Sequence, residues 1–141
     1  ESSKMSRGPE ANFWNTIKKR LPPNCRYWRI ENRAGSGIPD VYLIWNGVPI
    51  WVELKVVKTN KITLAPTQIA WHTAHSDSGG VSFILVKHLG QGTVFLFEGR
   101  GARSVSREGL LHEPIFSGPS LDDALHMMRE TAVSQILDAL R

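Results

Sequence analysis

Asp40, Glu53 and Lys55 are the residues of this 141-residue chain whose types and spacing most directly imply chemistry. Glu53 and Lys55 are charges set inside the most apolar run, Val48 to Val57. A second apolar run, Asp40 to Trp45, precedes it, and Asn46-Gly47 between them is the strongest short signal for a tight hairpin. Strand side chains alternate, so Glu53 and Lys55 share a face with Trp51 and Val57, while Ile50, Val52, Leu54 and Val56 take the other. If Asn46 and Gly47 are the two loop residues, Trp45 faces Val48, and counting outward puts Asp40 opposite Glu53. Directly opposed residues of an antiparallel pair have Cβ atoms about 4.5–5.5 Å apart. The spacing therefore predicts two carboxylates side by side on one sheet face, with a lysine two residues away. Pro49 is the position at which a bulge would shift this pairing by one.

Two like charges facing each other are destabilising unless something compensates. Protonation of one acid, pairing with Lys55, or a bound cation would each do so. A hard divalent ion such as Mg²⁺ prefers oxygen ligands, keeps several waters, and often uses one or two carboxylates plus substrate phosphate. A lysine beside such an ion can orient water and stabilise charge building on a phosphate.

The elements that must position these groups follow from periodicity. Pro9 to Leu21 reads as a helix, with Phe13, Trp14, Ile17 and Leu21 on one stripe, and Pro22-Pro23 stop it. Arg26 to Glu31 has strand composition, and Ala34 to Gly37 is a Gly/Ser loop. Beyond the hairpin, a polar connection from Lys58 to Lys61 leads to a helix from Pro66 to about His75. Val81 to Val86 and Thr93 to Phe97 read as two more strands. Residues 99–119, rich in Gly, Ser, Pro and Arg, read as a basic surface loop, with Arg100, Arg103 and Arg107 as a candidate mobile arm. The last helix, Leu121 to Leu140, opens on a capping pattern at Ser120 and Asp123. The expected fold is one mixed α/β domain over 5–141, with its core over about 9–98 and the final helix over 120–141. Glu1 to Lys4, ahead of Met5, read as an appended remnant.

The wording Ser36-Gly37-Ile38-Pro39-Asp40, a hairpin, then Glu53-Leu54-Lys55 resembles the signature of the PD-(D/E)xK nuclease superfamily. With Leu64-Ala65-Pro66-Thr67-Gln68 and Trp71 it is similar to the VRR-NUC branch and its phage Holliday-junction resolvase relatives. Val86-Lys87-His88 stands where that branch carries Val-Arg-Arg. The resemblance covers about Glu10 to Val86. It implies an αβββαβ restriction-endonuclease-like core, a mixed sheet flanked by helices, to which this chain adds a strand and a long C-terminal helix. It also implies cleavage of DNA phosphodiester bonds and dependence on Mg²⁺, with Mn²⁺ able to substitute. Asp40 and Glu53 would bind the metal, with the Leu54 backbone carbonyl, and Lys55 would assist the water. Glu10 matches the first-helix glutamate that joins the metal shell in relatives, although an acid at a helix start also suits the helix dipole. Gln68 matches a glutamine near the metal or scissile phosphate, and equally an N3 residue closing a helix start.

Arg29, Arg33, Ser36, Lys58, Lys61 and His72 flank these positions and are the candidate contacts to the DNA backbone. His72 and His75 lack the third soft ligand of a zinc site and read as surface groups. Of the five tryptophans, Trp14, Trp45, Trp51 and Trp71 fit core or subunit-interface positions. A net charge of +4 and a pI near 9.5 are compatible with nucleic acid. No apolar run approaches the roughly 20 residues of a membrane helix, and the start carries no signal-peptide pattern. One cysteine, Cys25, allows neither an internal disulfide nor a cysteine-based zinc site. The expected protein is an intracellular endonuclease of a reducing compartment, in bacterial or phage-infected cytoplasm or in a nucleus. It is expected to resolve four-way junctions as a homodimer, since two-fold symmetry supplies paired cuts. A flap, fork or restriction-type nuclease, and a DNA-binding module with a vestigial metal site, are the alternatives.

Overall fold

In the computed structural model, which describes residues 8–30 and 35–141, Asn46 and Gly47 take φ of 50° and 85°. Two successive left-handed residues form the mirror-image turn whose twist suits a hairpin. Strands β2 (Val41–Trp45) and β3 (Val48–Val57) run antiparallel from it, with Trp45 opposite Val48 and Val41 opposite Val52. The next rung outward brings Asp40 level with Glu53. Pro49 causes no bulge and pairs with Ile44. Its ring nitrogen faces away from β2, toward strand β4 (Ser82–His88), which begins only at the level of Trp51. No ladder bond is lost there.

Strand β1 (Cys25–Arg29) adds antiparallel to β2. Beyond β3 the chain crosses over through helix α2 (Pro66–Asp77), so that β3 and β4 are parallel. Strands β5 (Thr93–Glu98) and β6 (Phe116–Gly118) complete a six-stranded sheet in the order β1-β2-β3-β4-β5-β6. With helix α1 (Pro9–Lys18) ahead of β1, the first six elements have the expected αβββαβ order. The chain is a mixed α/β domain whose sheet is flanked by helices.

One face of the sheet, with Leu43, Ile50, Leu54, Phe83, Leu85 and Leu96, packs under Phe13, Trp14 and Ile17 of α1 and Leu125 and Met128 of helix α4 (Leu121–Ala139). Each such side chain taken wholly out of water contributes about 1.5–3 kcal/mol. Ser120 Oγ accepts the Asp123 N–H at 3.1 Å and closes the start of α4 as expected. On the other face Ile84, Val86 and Phe97 pack against Ile62, Leu64, Ala102 and Val105. Among the described residues no helix is long and apolar enough to cross a membrane.

The basic loop expected over 99–119 is corrected by the structure. It folds as a short 3₁₀ turn, helix α3 (Ala102–Glu108), a second 3₁₀ turn and β6. A seven-residue helix offers few inward positions, here the fully buried Ala102 and Val105, and these are too few to raise a periodic signal. Gly109, at φ 62°, lies so close to the Asn60 carbonyl that a Cβ would overlap it, so this glycine marks tight packing. Arg100 pairs with Glu98 at 2.7 Å and Arg107 with Glu108 at 3.5 Å, and the cluster is a folded surface. Smaller differences concern boundaries: α1 ends at Lys18, α2 continues to Asp77 and β4 to His88. Glu1 to Lys4 and Arg33 lie outside the described residues.

Cys25 is buried in the core on the α1 and α4 side of the sheet, and burial pushes its thiol up to about 11. Because the thiolate is the reactive form, the native protein is expected to resist alkylation at neutral pH and to react fully once unfolded in urea. Mass spectrometry after iodoacetamide treatment reads both states.

Candidate active site

The site forms where β3 runs past the end of its neighbour. Odd-numbered residues of β3 bond to the β4 side, as in Trp51 N–H to the Val81 carbonyl at 3.3 Å and Leu89 N–H to the Val57 carbonyl at 2.9 Å. Even-numbered residues face β2, which starts only at Val41, level with Val52. Leu54 and Val56 therefore have no strand partner on that edge. Asp40 Oδ2 accepts the Leu54 N–H at 2.7 Å, and Glu10 Oε2, from α1, accepts the Val56 N–H at 3.2 Å. Two carboxylates stand in for the missing strand. In a strand the N–H and C=O of one residue share an edge, so the Leu54 carbonyl faces the side that Asp40 occupies.

Glu53 is 1% exposed and Asp40 4%. Glu53 Oε2 accepts from Gln68 Nε2 at 3.0 Å. Gln68 Oε1 in turn accepts the Ala65 N–H at 2.8 Å and Lys55 Nζ at 3.4 Å. Gln68 thus closes the start of α2, as expected of an N3 residue, and the same side chain links Glu53 to Lys55. Gly37, at φ 79°, lies where a Cβ would overlap the Thr67 carbonyl oxygen. This contact ties the loop ahead of Asp40 to the first turn of α2, and so to Gln68.

The sheet face beside the acids is aromatic. Trp28, Tyr42 and Trp51 lie on one rung, two residues from Ile30, Asp40 and Glu53 along their strands. Their rings pack at 5.8 and 4.6 Å between centroids, and Trp71 and His75 of α2 extend the row at 5.4 and 4.5 Å. Arg26 lies 5.2 Å over Trp28. Trp51 and Trp71 are half-buried in this row, in keeping with the packing role expected for them, while Trp28 at its end is exposed.

Two of the expected contacts, His72 and Arg29, are placed elsewhere. His72 was expected at the surface as a DNA contact, but it is 0% exposed. It stands four residues after Gln68, on the same helical face, so both point at Glu53. That spacing was the available signal, and pairing His72 with His75 obscured it. Arg29 shares a rung with Val41 and Val52, on the face opposite Glu53. Ser36 Oγ accepts the Ile38 N–H at 3.3 Å within its own loop. Lys58 and Lys61 are exposed in the connection after β3.

His72 Nδ1 lies 2.7 Å from Ser82 Oγ, and its Nε2 lies 3.8 Å from Glu53 Oε1. Burial outweighs the attraction of Asp40, while Lys55 adds to the effect, and the ring is held neutral with a pKa lowered to about 4. The folded state therefore refuses a proton that the unfolded chain takes up near pH 6.5. Stability that is fully present above pH 6.5 is lost as pH falls toward 4, at about 1.4 kcal/mol per pH unit. Urea unfolding at pH 7 and pH 5 should differ by about 2 kcal/mol from this residue. His72→Gln should remove that part of the slope, leaving the smaller contribution of His75, which burial also lowers.

Asp40, Glu53 and the Leu54 carbonyl form an all-oxygen donor set, the chemistry that a hard divalent cation requires. Two adjacent buried acids also call for positive charge. Among the described residues no three His, Cys, Asp or Glu side chains converge into a metal cage. Glu10 is accordingly spent on Val56 rather than gathered beside Asp40 and Glu53. Such a site fits an ion that keeps most of its waters.

No family model matches the chain, and no curated protein does. Among solved structures it is similar to Archaeoglobus fulgidus Hjc, a Holliday junction resolvase from an archaeal hyperthermophile, with a TM-score of 0.47 and 16% identity. The match covers 64% of this chain and 70% of that one.

Proposed function

We propose that this chain is a metal-dependent, structure-selective DNA endonuclease of the PD-(D/E)xK type, close to the VRR-NUC and phage resolvase branch, and that it resolves four-way junctions as a homodimer. The observation that carries the reading is the juxtaposition at the end of the hairpin. Asp40 and Glu53 are buried on one rung, Leu54 turns its carbonyl to the same edge, and Gln68 joins Glu53 to Lys55.

Asp40, Glu53 and the Leu54 carbonyl would hold Mg²⁺ or Mn²⁺. When bound, the ion neutralises charge on the phosphate and makes water a better nucleophile. Lys55 orients the attacking water and faces the charge that builds on the phosphate oxygens. Gln68, anchored on the first turn of α2, fixes the distance between Lys55 and Glu53. Attack in line with the departing 3′ oxygen forms one P–O bond as the other breaks, leaving the 5′-phosphate that the family resemblance implies. Glu10 supports the edge of β3 behind these groups. A DNA substrate and a lone buried thiol are both in keeping with a reducing intracellular compartment.

The test is incubation of a labelled four-way junction, a flap and a matched linear duplex with Mg²⁺, with chelator, and with the Asp40→Asn variant. Symmetric paired nicks in the junction alone, lost with chelator, are expected. Preferential cutting of the flap or duplex would replace the junction by that substrate. Junction binding without nicking at any Mg²⁺ or Mn²⁺ concentration would overturn the enzymatic reading in favour of a binding module.

A further inference from the structure

We propose that His72 is a positioning residue for Glu53: a neutral Nε2–H donor aimed at the carboxylate, held in that orientation by Ser82 and by the bare backbone of Gly99. The inference rests on the nuclease reading for what Glu53 does, but the donor geometry stands on the structure alone. The imidazole is sealed from solvent at the meeting of α2, β3 and β4. Trp71 meets its ring edge to face at 5.5 Å and 86°. Ser82 Oγ sits 2.7 Å from Nδ1. Among the described residues Nε2 has no hydrogen-bond partner, and it lies 3.8 Å from Glu53 Oε1.

A neutral imidazole has one N–H, and the surroundings choose where it goes. With the proton on Nδ1, the Nε2 lone pair would point at a carboxylate in a dry interior, where like partial charges repel strongly. With the proton on Nε2, the N–H points at the carboxylate, and the Ser82 hydroxyl donates to Nδ1. Both nitrogens are then matched. The 3.8 Å separation is longer than a hydrogen bond, and a shift of about 0.8 Å in the Glu53 carboxylate would close it to ordinary length. Gln68 already donates to the other oxygen at 3.0 Å, so the two donors of α2 would fix the plane of the carboxylate that faces the ion. Orientation of a ligating group by outer partners of this kind is commonly worth ten- to a hundredfold in metal affinity.

Gly99 completes the arrangement. A Cβ at this position would overlap Ser82 Oγ and come within 2.7 Å of His72 Nδ1. Any side chain there would push the hydroxyl off the ring, so the glycine is required by the Ser82–His72 contact rather than by backbone conformation.

The first measurement is the tautomer of His72 in the metal-free wild-type protein, from two-bond ¹H–¹⁵N correlations. Protonated Nε2 with an accepting Nδ1 is expected; a protonated Nδ1 would overturn the proposal, whatever the protein does to DNA. The second is Mn²⁺ binding without DNA, by calorimetry, for the wild type, His72→Phe and His72→Gln, beside their melting temperatures. His72→Phe should weaken Mn²⁺ binding roughly ten- to a hundredfold, and His72→Gln, which keeps a neutral N–H, by no more than about threefold. Gly99→Ala should behave as His72→Phe does, and serves if the phenylalanine variant fails to fold. Equal Mn²⁺ affinity across the set, with only the melting temperatures changed, would show a packing role and sink the idea. A wild-type protein that binds no Mn²⁺ would instead end the metal reading of Glu53, leaving the tautomer to decide whether the donor is aimed as described.

Discussion

Asp40→Asn is expected to lower junction cleavage at least about 10³-fold while leaving the protein as stable as before, or slightly more so. The rate loss follows from the several kcal/mol that a correctly held metal supplies in phosphoryl transfer, at 1.36 kcal/mol per tenfold. The stability result follows from what the side chain touches. Asparagine keeps an oxygen that can accept the Leu54 N–H, now bonded at 2.7 Å. It also removes one of two buried negative charges on neighbouring strands, relieving a repulsion of up to about 1 kcal/mol. Asp40→Ala separates the two effects. It should lose the same activity and in addition leave the Leu54 N–H bare, costing about 1–3 kcal/mol. Single-turnover cleavage and urea unfolding of the pair decide the matter. An Asp40→Asn protein that still cuts within tenfold of wild type would remove Asp40 from the metal site.

Lys55→Met should cut about 10²- to 10⁴-fold more slowly, the usual contribution of a positioned proton-transfer or charge-stabilising group. Methionine retains most of the aliphatic stem, so the half-buried stretch of β3 should keep its packing. Gln68 loses one partner at 3.4 Å but keeps Ala65 and Glu53, so the start of α2 should persist. Junction binding measured with Ca²⁺ in place of Mg²⁺ should change little, because one cation among seventeen Lys and Arg is removed. The signature is a loss in the chemical step with affinity intact. Wild-type rates with normal binding would exclude Lys55 from the reaction.

The hairpin was readable because its determinants are local. A two-residue turn sets the register, and register sets which side chains meet. Pro49 looked like a threat to that count and was harmless, because the missing N–H faces a stretch that lies ahead of the start of β4. That fact depends on where a distant strand begins. Gln68 was readable for the same local reason, as an N3 residue. For His72 only the helical spacing from Gln68 was readable; its burial was not, because that environment is made by Ser82 and Gly99, ten and twenty-seven residues away in the chain. Arg29 was misplaced by proximity in sequence, since one step along a strand is a change of face. The 99–118 segment hid a helix and an edge strand behind Gly and Arg, its anchoring carried by two small apolar residues and a tight approach to Asn60.

The turn at Asn46-Gly47 has a consequence for which kinds of genetic change this molecule can survive. Many replacements within β2 and β3 alter one contact, and the rest of the rung persists. Adding or removing a single codon anywhere between Val48 and Val52 would roll every later residue of that strand over, sending Glu53 and Lys55 into the greasy layer under α1 and α4 and bringing Leu54 out in their stead. Length in this hairpin should therefore be far less negotiable than spelling, whereas the exposed Lys58-Thr59 step, beyond the pairing with β2 and ahead of the Asn60 carbonyl that Leu110 holds, should accept extra residues more readily.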